Sequence, residues 1–194
     1  MMKTINQRLL FFILLINTIG FAQKYTKTDT SELSKNWNET TFYASKTFTE
    51  NITEIPSFST LKKDLELGSS TKEIEDQEMV TIFAMTNNAY EKLKGVNDSV
   101  FDIVPITNRI AIIKYHVIPG RVDKRSIKKA IQYKGGISYF MTLQGVKLGI
   151  KEENSQLFLV DSFGNTSVIS ATDFYHKNGF FHIVEGYVLP TSDL

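Results

Sequence analysis

The chain has 194 residues, of which 42% are hydrophobic and 12% aromatic, with 22 Lys+Arg against 21 Asp+Glu and no cysteine. That length fits one domain or two, and this balance excludes a collagen-like, disulfide-stapled, disordered or multi-span membrane chain. A formal charge of +1 lacks the basic excess that marks nucleic-acid binding, so no nucleic-acid partner is expected.

Residues 1–22 read as an export leader. Lys3 and Arg8 precede the apolar run Leu9–Ile16, and small residues follow at Gly20 and Ala22, the pattern of a signal peptide cut before Gln23. The run is too short to cross a bilayer core of ~30 Å as a helix. Cleavage removes two cations and no acid, taking the formal charge from +1 to −1. No membrane span is expected afterwards, so the mature chain is read as secreted or periplasmic. An exported chain is allowed disulfides, yet this one has no cysteine, so its stability must come from packing. The sequons at Asn38, Asn51, Asn97 and Asn165 would accept glycans in a eukaryotic secretory pathway.

Residues 23–40 are polar, with only Tyr25, Leu33 and Trp37 as large apolar groups, and read as a linker or loosely packed extension. A helix is predicted from Pro56–Ser57, with Phe58, Leu61 and Leu65 on one face and Gly68 as its stop. The acidic stretch Ser69–Met79 reads as a solvated loop. Val80–Ala84 has strand composition, and a helix follows within Thr86–Asn88, where Asn88 and Glu91 have capping-box spacing. Pro105 fits the first turn of a further helix carrying Ile106, Ile110, Ile112 and Ile113, which should be largely buried.

Beyond Gly120 the apolar period falls to two, apart from a helical piece near Ser126–Ile131. Strands are predicted at Val146–Lys151, Gln156–Val160, Thr166–Ser170, Phe180–Val184 and Tyr187–Leu189. Helices first and strands later indicate an α+β domain over 41–192.

Three segments together resemble fasciclin-like domains. Thr81–Leu93 is similar to the opening Thr-x-Phe-Ala-Pro-Thr-Asn-x-Ala-Phe signature, Tyr115–Val122 to the central Tyr-His segment, and Asn178–Pro190 to the closing Asn-Gly-x-x-His signature. Thr142–Gly145 and Ala171–Asp173 are also like the family. Departures are Met85 in place of Pro, Tyr90 in place of Phe, and Phe180–Phe181 in place of smaller aliphatics; the aromatic pair needs extra core volume or partial exposure. The resemblance implies a wedge of β-strands packed with several helices, mostly in the N-terminal half. It also implies extracellular adhesion or surface interaction, with no cofactor and no catalysis.

Catalytic signals are thin. There is no Cys, no G-x-S-x-G elbow and no metal-ligand spacing. His116 and His182 lie in apolar, strand-like surroundings and read as core histidines, whereas His176 reads as a surface loop residue. Glu75–Asp76 and Glu152–Glu153 are neighbours in loops and splay apart. By family resemblance Tyr115 and His116 are the binding residues, as in some animal relatives where such segments recognise integrins. The alternative is that both are buried residues linking helix to sheet. Exposed aromatics, from Tyr133, Tyr139, Phe140, Phe163, Tyr175 and Phe180, are a second route to a partner. The expected partner is a surface protein or polysaccharide of unknown identity. Self-association through a strand edge is an alternative, and a small-ligand-binding or hydrolytic role a further one.

Overall fold

The structure is a computed structural model that describes residues 33–68, 70–94 and 105–190. The leader expected over 1–22 and the sequon at Asn97 lie outside those residues. Strands β1 (Ser34–Trp37) and β2 (Thr40–Tyr43) form an antiparallel hairpin. Asn38 turns it with φ of 50°, a left-handed conformation that Asn tolerates. The C-terminal part of the polar extension is therefore a built element, with Trp37 packed on Phe42 and Phe58 at ring distances of 6.3 and 5.5 Å.

Helix α1 (Phe48–Ile52) opens with a reciprocal capping box between Thr47 and Glu50. This buries Asn51, whose side-chain amide donates to the carbonyls of Tyr43 and Thr47 and accepts from the Tyr43 amide. The Asn51 sequon is thus consumed by the fold. A 3-10 turn (Pro56–Phe58) runs into α2 (Ser59–Leu67), which buries Phe58, Leu61 and Leu65 as their spacing predicts. Gly68 ends α2 where a Cβ would lie 2.1 Å from the Ile110 side chain.

The acidic stretch expected to be a loop instead contains α3 (Ser70–Glu75), held by the buried Ile74. Strand β3 (Val80–Met85) is buried throughout, and α4 (Asn87–Lys94) follows. Its cap is Thr86, whose hydroxyl accepts from the Ala89 amide at 3.3 Å, rather than Asn88. Helix α5 (Ile106–Tyr115) buries Ile112 and Ile113 but leaves Ile106 and Ile110 half-buried, so it is less enclosed than its composition suggests.

Strand β4 (Val117–Pro119) leads to α6 (Lys124–Lys134), capped by Asp123 and stopped by a left-handed Gly135. The remaining strands are β5 (Ile137–Met141), β6 (Lys147–Glu153), β7 (Gln156–Val160), β8 (Thr166–His176) and β9 (Gly179–Val184). Tyr187–Leu189 is not a strand. It is an extended tail in which the Leu189 amide donates to Asp161 at 2.9 Å and Val188 is buried.

The seven-stranded sheet has the order β4-β3-β9-β8-β7-β6-β5. Its neighbours are antiparallel except β3 and β9, which run parallel from Val80 opposite Gly179 to Met85 opposite Val184. A bond from the Leu143 amide to the Val117 carbonyl, 2.8 Å, brings the two ends together, so the sheet is a nearly closed wedge around the core. The α+β architecture, with most helices in the N-terminal half, is the one the sequence predicts.

Among the helices, the Asp64 carboxylate of α2 is fully buried and meets the Arg109 guanidinium of α5 at 2.7 Å. Burial pushes the Asp64 carboxyl above its usual value, and Arg109 and Lys63 pull it back. Removing one partner leaves an uncompensated buried charge. Arg109→Met is expected to cost about 3–5 kcal/mol, and adding Asp64→Leu to recover most of that loss. Denaturant midpoints measure both, and a cost of under about 1 kcal/mol for the single variant would mean that the pair is solvated.

Candidate functional site

Tyr115 and His116 are both 1% exposed. The Tyr115 hydroxyl, at the end of α5, donates to the Lys147 carbonyl of β6 at 3.0 Å, and burial above all pushes the phenol up to about 12. His116 is the cap of α5 rather than a strand residue. Its Nδ1 lies 2.8 Å from the Ile112 carbonyl, to which it donates, and its own carbonyl accepts from the Phe83 amide at 2.8 Å. Burial holds this imidazole down at about 4, against the Ile112 hydrogen bond. The pair joins α5 to strands β3 and β6, and neither side chain lines the protein surface.

His182 is fully buried and stacks on Phe83 at 5.4 Å. Its Nε2 donates to the Val122 carbonyl at 2.9 Å, while Nδ1 accepts from the Asp173 amide at 3.1 Å, which selects the Nε2–H tautomer. That amide is correctly placed because Asp173 sits at a bulge with φ of 61°. His176, expected on a surface loop, is instead 4% exposed at the end of β8. Its Nε2 donates to the Phe180 carbonyl at 3.1 Å, and burial holds it near 4. Its inward direction follows from Phe174, two residues earlier on the same face.

The three histidines therefore serve the core. Glu152 and Glu153 point apart, the first to Lys128 at 2.6 Å and the second to Lys151 at 2.8 Å. Among the described residues no three His, Asp or Glu side chains gather as a metal site. Of the aromatics singled out, Tyr133, Tyr139 and Phe163 are exposed, Phe140 and Tyr175 are half-buried and Phe180 is buried.

A more accessible arrangement surrounds the β3–α4 turn. Asn87 ties it to the 3-10 turn, donating to the Pro56 carbonyl at 2.8 Å and to the Ser59 hydroxyl at 2.9 Å, and accepting from the Thr60 amide. Glu185, just after β9, accepts from the Thr86 hydroxyl at 2.8 Å and from the Ser170 hydroxyl at 3.3 Å. Trp37 and Asn38 of the hairpin complete a shallow open cleft with Pro56, Ser57, Thr86, Asn87, Asn88 and Glu185. A half-buried indole beside amides, hydroxyls and a carboxylate can stack on a flat ligand and hydrogen-bond its edge. Sequence reasoning missed this cleft because the hairpin that supplies Trp37 lies in the segment read as an extension.

A model of the Fasciclin domain matches residues 56–190. The chain belongs to the fasciclin domain family. A solved structure of a fasciclin domain pair from the insect cell adhesion molecule Fasciclin I has the same fold, at a TM-score of 0.64 and 14% identity. The alignment covers 74% of this chain and 51% of that one, so this chain spans about half the length of the insect domain pair. No curated protein matches it. Fasciclin domains occur in cell-adhesion proteins, and among the described residues no helix is long and apolar enough to cross a membrane.

The buried histidines give this fasciclin domain an acid liability. His116 and His176, held near 4 when folded, return to about 6.5 when unfolded. As pH falls between those values the unfolded chain takes up protons that the folded one refuses, so stability is present above about 6.5 and is lost towards 4. The expected loss is about 3 kcal/mol for each histidine. Denaturation midpoints from pH 7 to 4.5 test this, and neither imidazole should titrate by NMR above pH 5.

Proposed function

We propose that this fasciclin domain is an exported adhesion or surface-interaction module that binds a surface protein or polysaccharide through the cleft between the β1–β2 hairpin and the start of α4. One observation carries the reading. The hairpin lies before the matched residues 56–190, yet it places Trp37 against the Thr86–Asn88 turn of the opening signature. The cleft is thus assembled from the matched domain and from a segment that precedes the match. Tyr115 and His116 support binding indirectly in this reading, by holding α5 against the strands behind the surface.

A self-associating role has one specific feature in its favour. Strand β5 ends the hydrogen-bonded order of the sheet and exposes Tyr139 and Met141 at 61% and 53%. Concentration-dependent mass in solution separates that role from binding of a foreign ligand.

The test is binding of the purified chain to arrayed glycans and to surface proteins of the producing cell. Trp37→Ala is expected to weaken binding by about 2 kcal/mol, roughly 30-fold, as loss of an aromatic anchor does. Asn88→Ala, at an exposed position with a weak 3.4 Å contact to Glu185, should weaken it without affecting folding. Circular dichroism confirms that each variant is folded, and unchanged binding by both would place the site elsewhere.

A further inference from the structure

The near-neutral charge of the whole chain hides a local segregation. Helix α6 contains Lys124, Arg125, Lys128, Lys129 and Lys134 and no acid. Ile127 and Ile131 face the core, Arg125 and Lys129 lie on the opposite side of the helix, Lys124 is exposed in its first turn and Lys128 is half-buried at its flank. These four basic residues and Gln132 line one shallow groove, with Asp173 of β8 at its border.

Three carboxylates adjoin the helix, and each is already engaged. Asp123 accepts from the Ser126 amide at 2.7 Å as the cap, Asp173 accepts from the Lys124 amide at 2.7 Å, and Glu152 pairs with Lys128 at 2.6 Å. Among the described residues Lys124, Arg125 and Lys129 form no ion pair. Lys124 with Lys128, and Arg125 with Lys129, are like charges at i,i+4, which disfavour a helix. The arrangement costs stability and concentrates positive potential along one surface.

We infer that the exposed face of α6 binds an anionic polysaccharide, one carrying carboxylate or sulfate groups along its length. The inference rests on the surface-interaction reading and names a partner class for it. Cations at i,i+4 repeat about every 6 Å along the axis, a row suited to a charged linear polymer. A folded protein partner fits less well, because lysine is depleted at the centre of protein interfaces and this groove has no apolar anchor. A membrane fits less well because Ile127 and Ile131 of α6 are turned into the core and Tyr133, in its last turn, is the one large exposed aromatic of the helix, too little to form an apolar face that enters the acyl region.

The test measures binding of the purified chain to polygalacturonate and dextran sulfate, with uncharged dextran, phosphatidylglycerol vesicles and duplex DNA alongside. Both charged polysaccharides should bind, more weakly as salt rises, and dextran should not. Arg125→Gln with Lys129→Gln removes two exposed cations without touching an ion pair, and should weaken binding about tenfold or more. Lys62→Gln, on α2, should leave it unchanged. Equal binding to dextran, indifference to the double substitution, or tighter binding to vesicles or DNA would overturn the inference. If polysaccharide binding is absent while Trp37-dependent binding persists, the α6 site is wrong and the surface-interaction reading stands; if both are absent, both fail.

Discussion

At Gly179 the backbone of β9 approaches β3 so closely that a Cβ there would lie 1.8 Å from the Val80 carbonyl oxygen. With φ of 155°, the position suits glycine on both conformational and steric grounds. The preceding Asn178 donates to the Gln77 carbonyl at 2.9 Å, and its own carbonyl accepts from the Val80 amide. These contacts begin the parallel pairing of β3 with β9. Because β9 lies between β3 and β8, it joins the β4-β3 pair to the β8-β5 meander, and the wedge depends on that junction.

Around the junction the core is strongly aromatic. Phe181 of β9 meets Phe42, Phe48 and Phe174 at 4.8, 5.4 and 5.1 Å, with edge-on geometry to the first two. Phe42 and Phe48 come from the hairpin and α1, which precede the matched residues. That segment surrounds Phe181, whereas Phe180 is buried beside Tyr175, at a ring distance of 4.9 Å, with the Arg121 guanidinium over its ring, so neither is forced into solvent. The same segment contributes Trp37 to the cleft, so core completion and surface chemistry share one origin. Several buried polar groups fix the positions of neighbouring elements through their hydrogen bonds, as Thr81 does by bridging the Gly120 carbonyl and the Val122 amide at 2.8 Å each.

Much of this architecture is legible in the chain. The alternation around Leu148 and Ile150 reports a strand because one face of the sheet is buried, and the Phe58, Leu61 and Leu65 spacing reports a helix because one stripe is. What escapes a reading of the sequence involves tertiary partners. Helix α3 has a single buried aliphatic side chain, Ile74, so no period is visible. Asn88 with Glu91 imitates a cap, while the actual cap is a threonine shared with Glu185. His176 is hidden because two register shifts in β8 change which residues face inward between Ile169 and Phe174. Asp161 gave no signal, yet its carboxylate accepts from Phe163, Asn165 and Leu189 and so fixes both the β7–β8 turn and the tail. The cleft was out of reach for the same reason, since its walls come from distant parts of the chain.

The position of β9 has a kinetic meaning. The strand that links the two parts of the sheet is made last, and its parallel neighbour β3 precedes it by most of the domain, so its pairing closes a long loop. Local helices and the β5–β8 hairpins can form as the chain emerges, but the wedge cannot close until residue 184 is available. Until β9 is made, β4-β3 and the β5–β8 meander have no strand between them, so the wedge stays open while all the preceding strands are synthesised. Closure of the wedge is then one late step, and with no cysteine in the sequence no disulfide guides it.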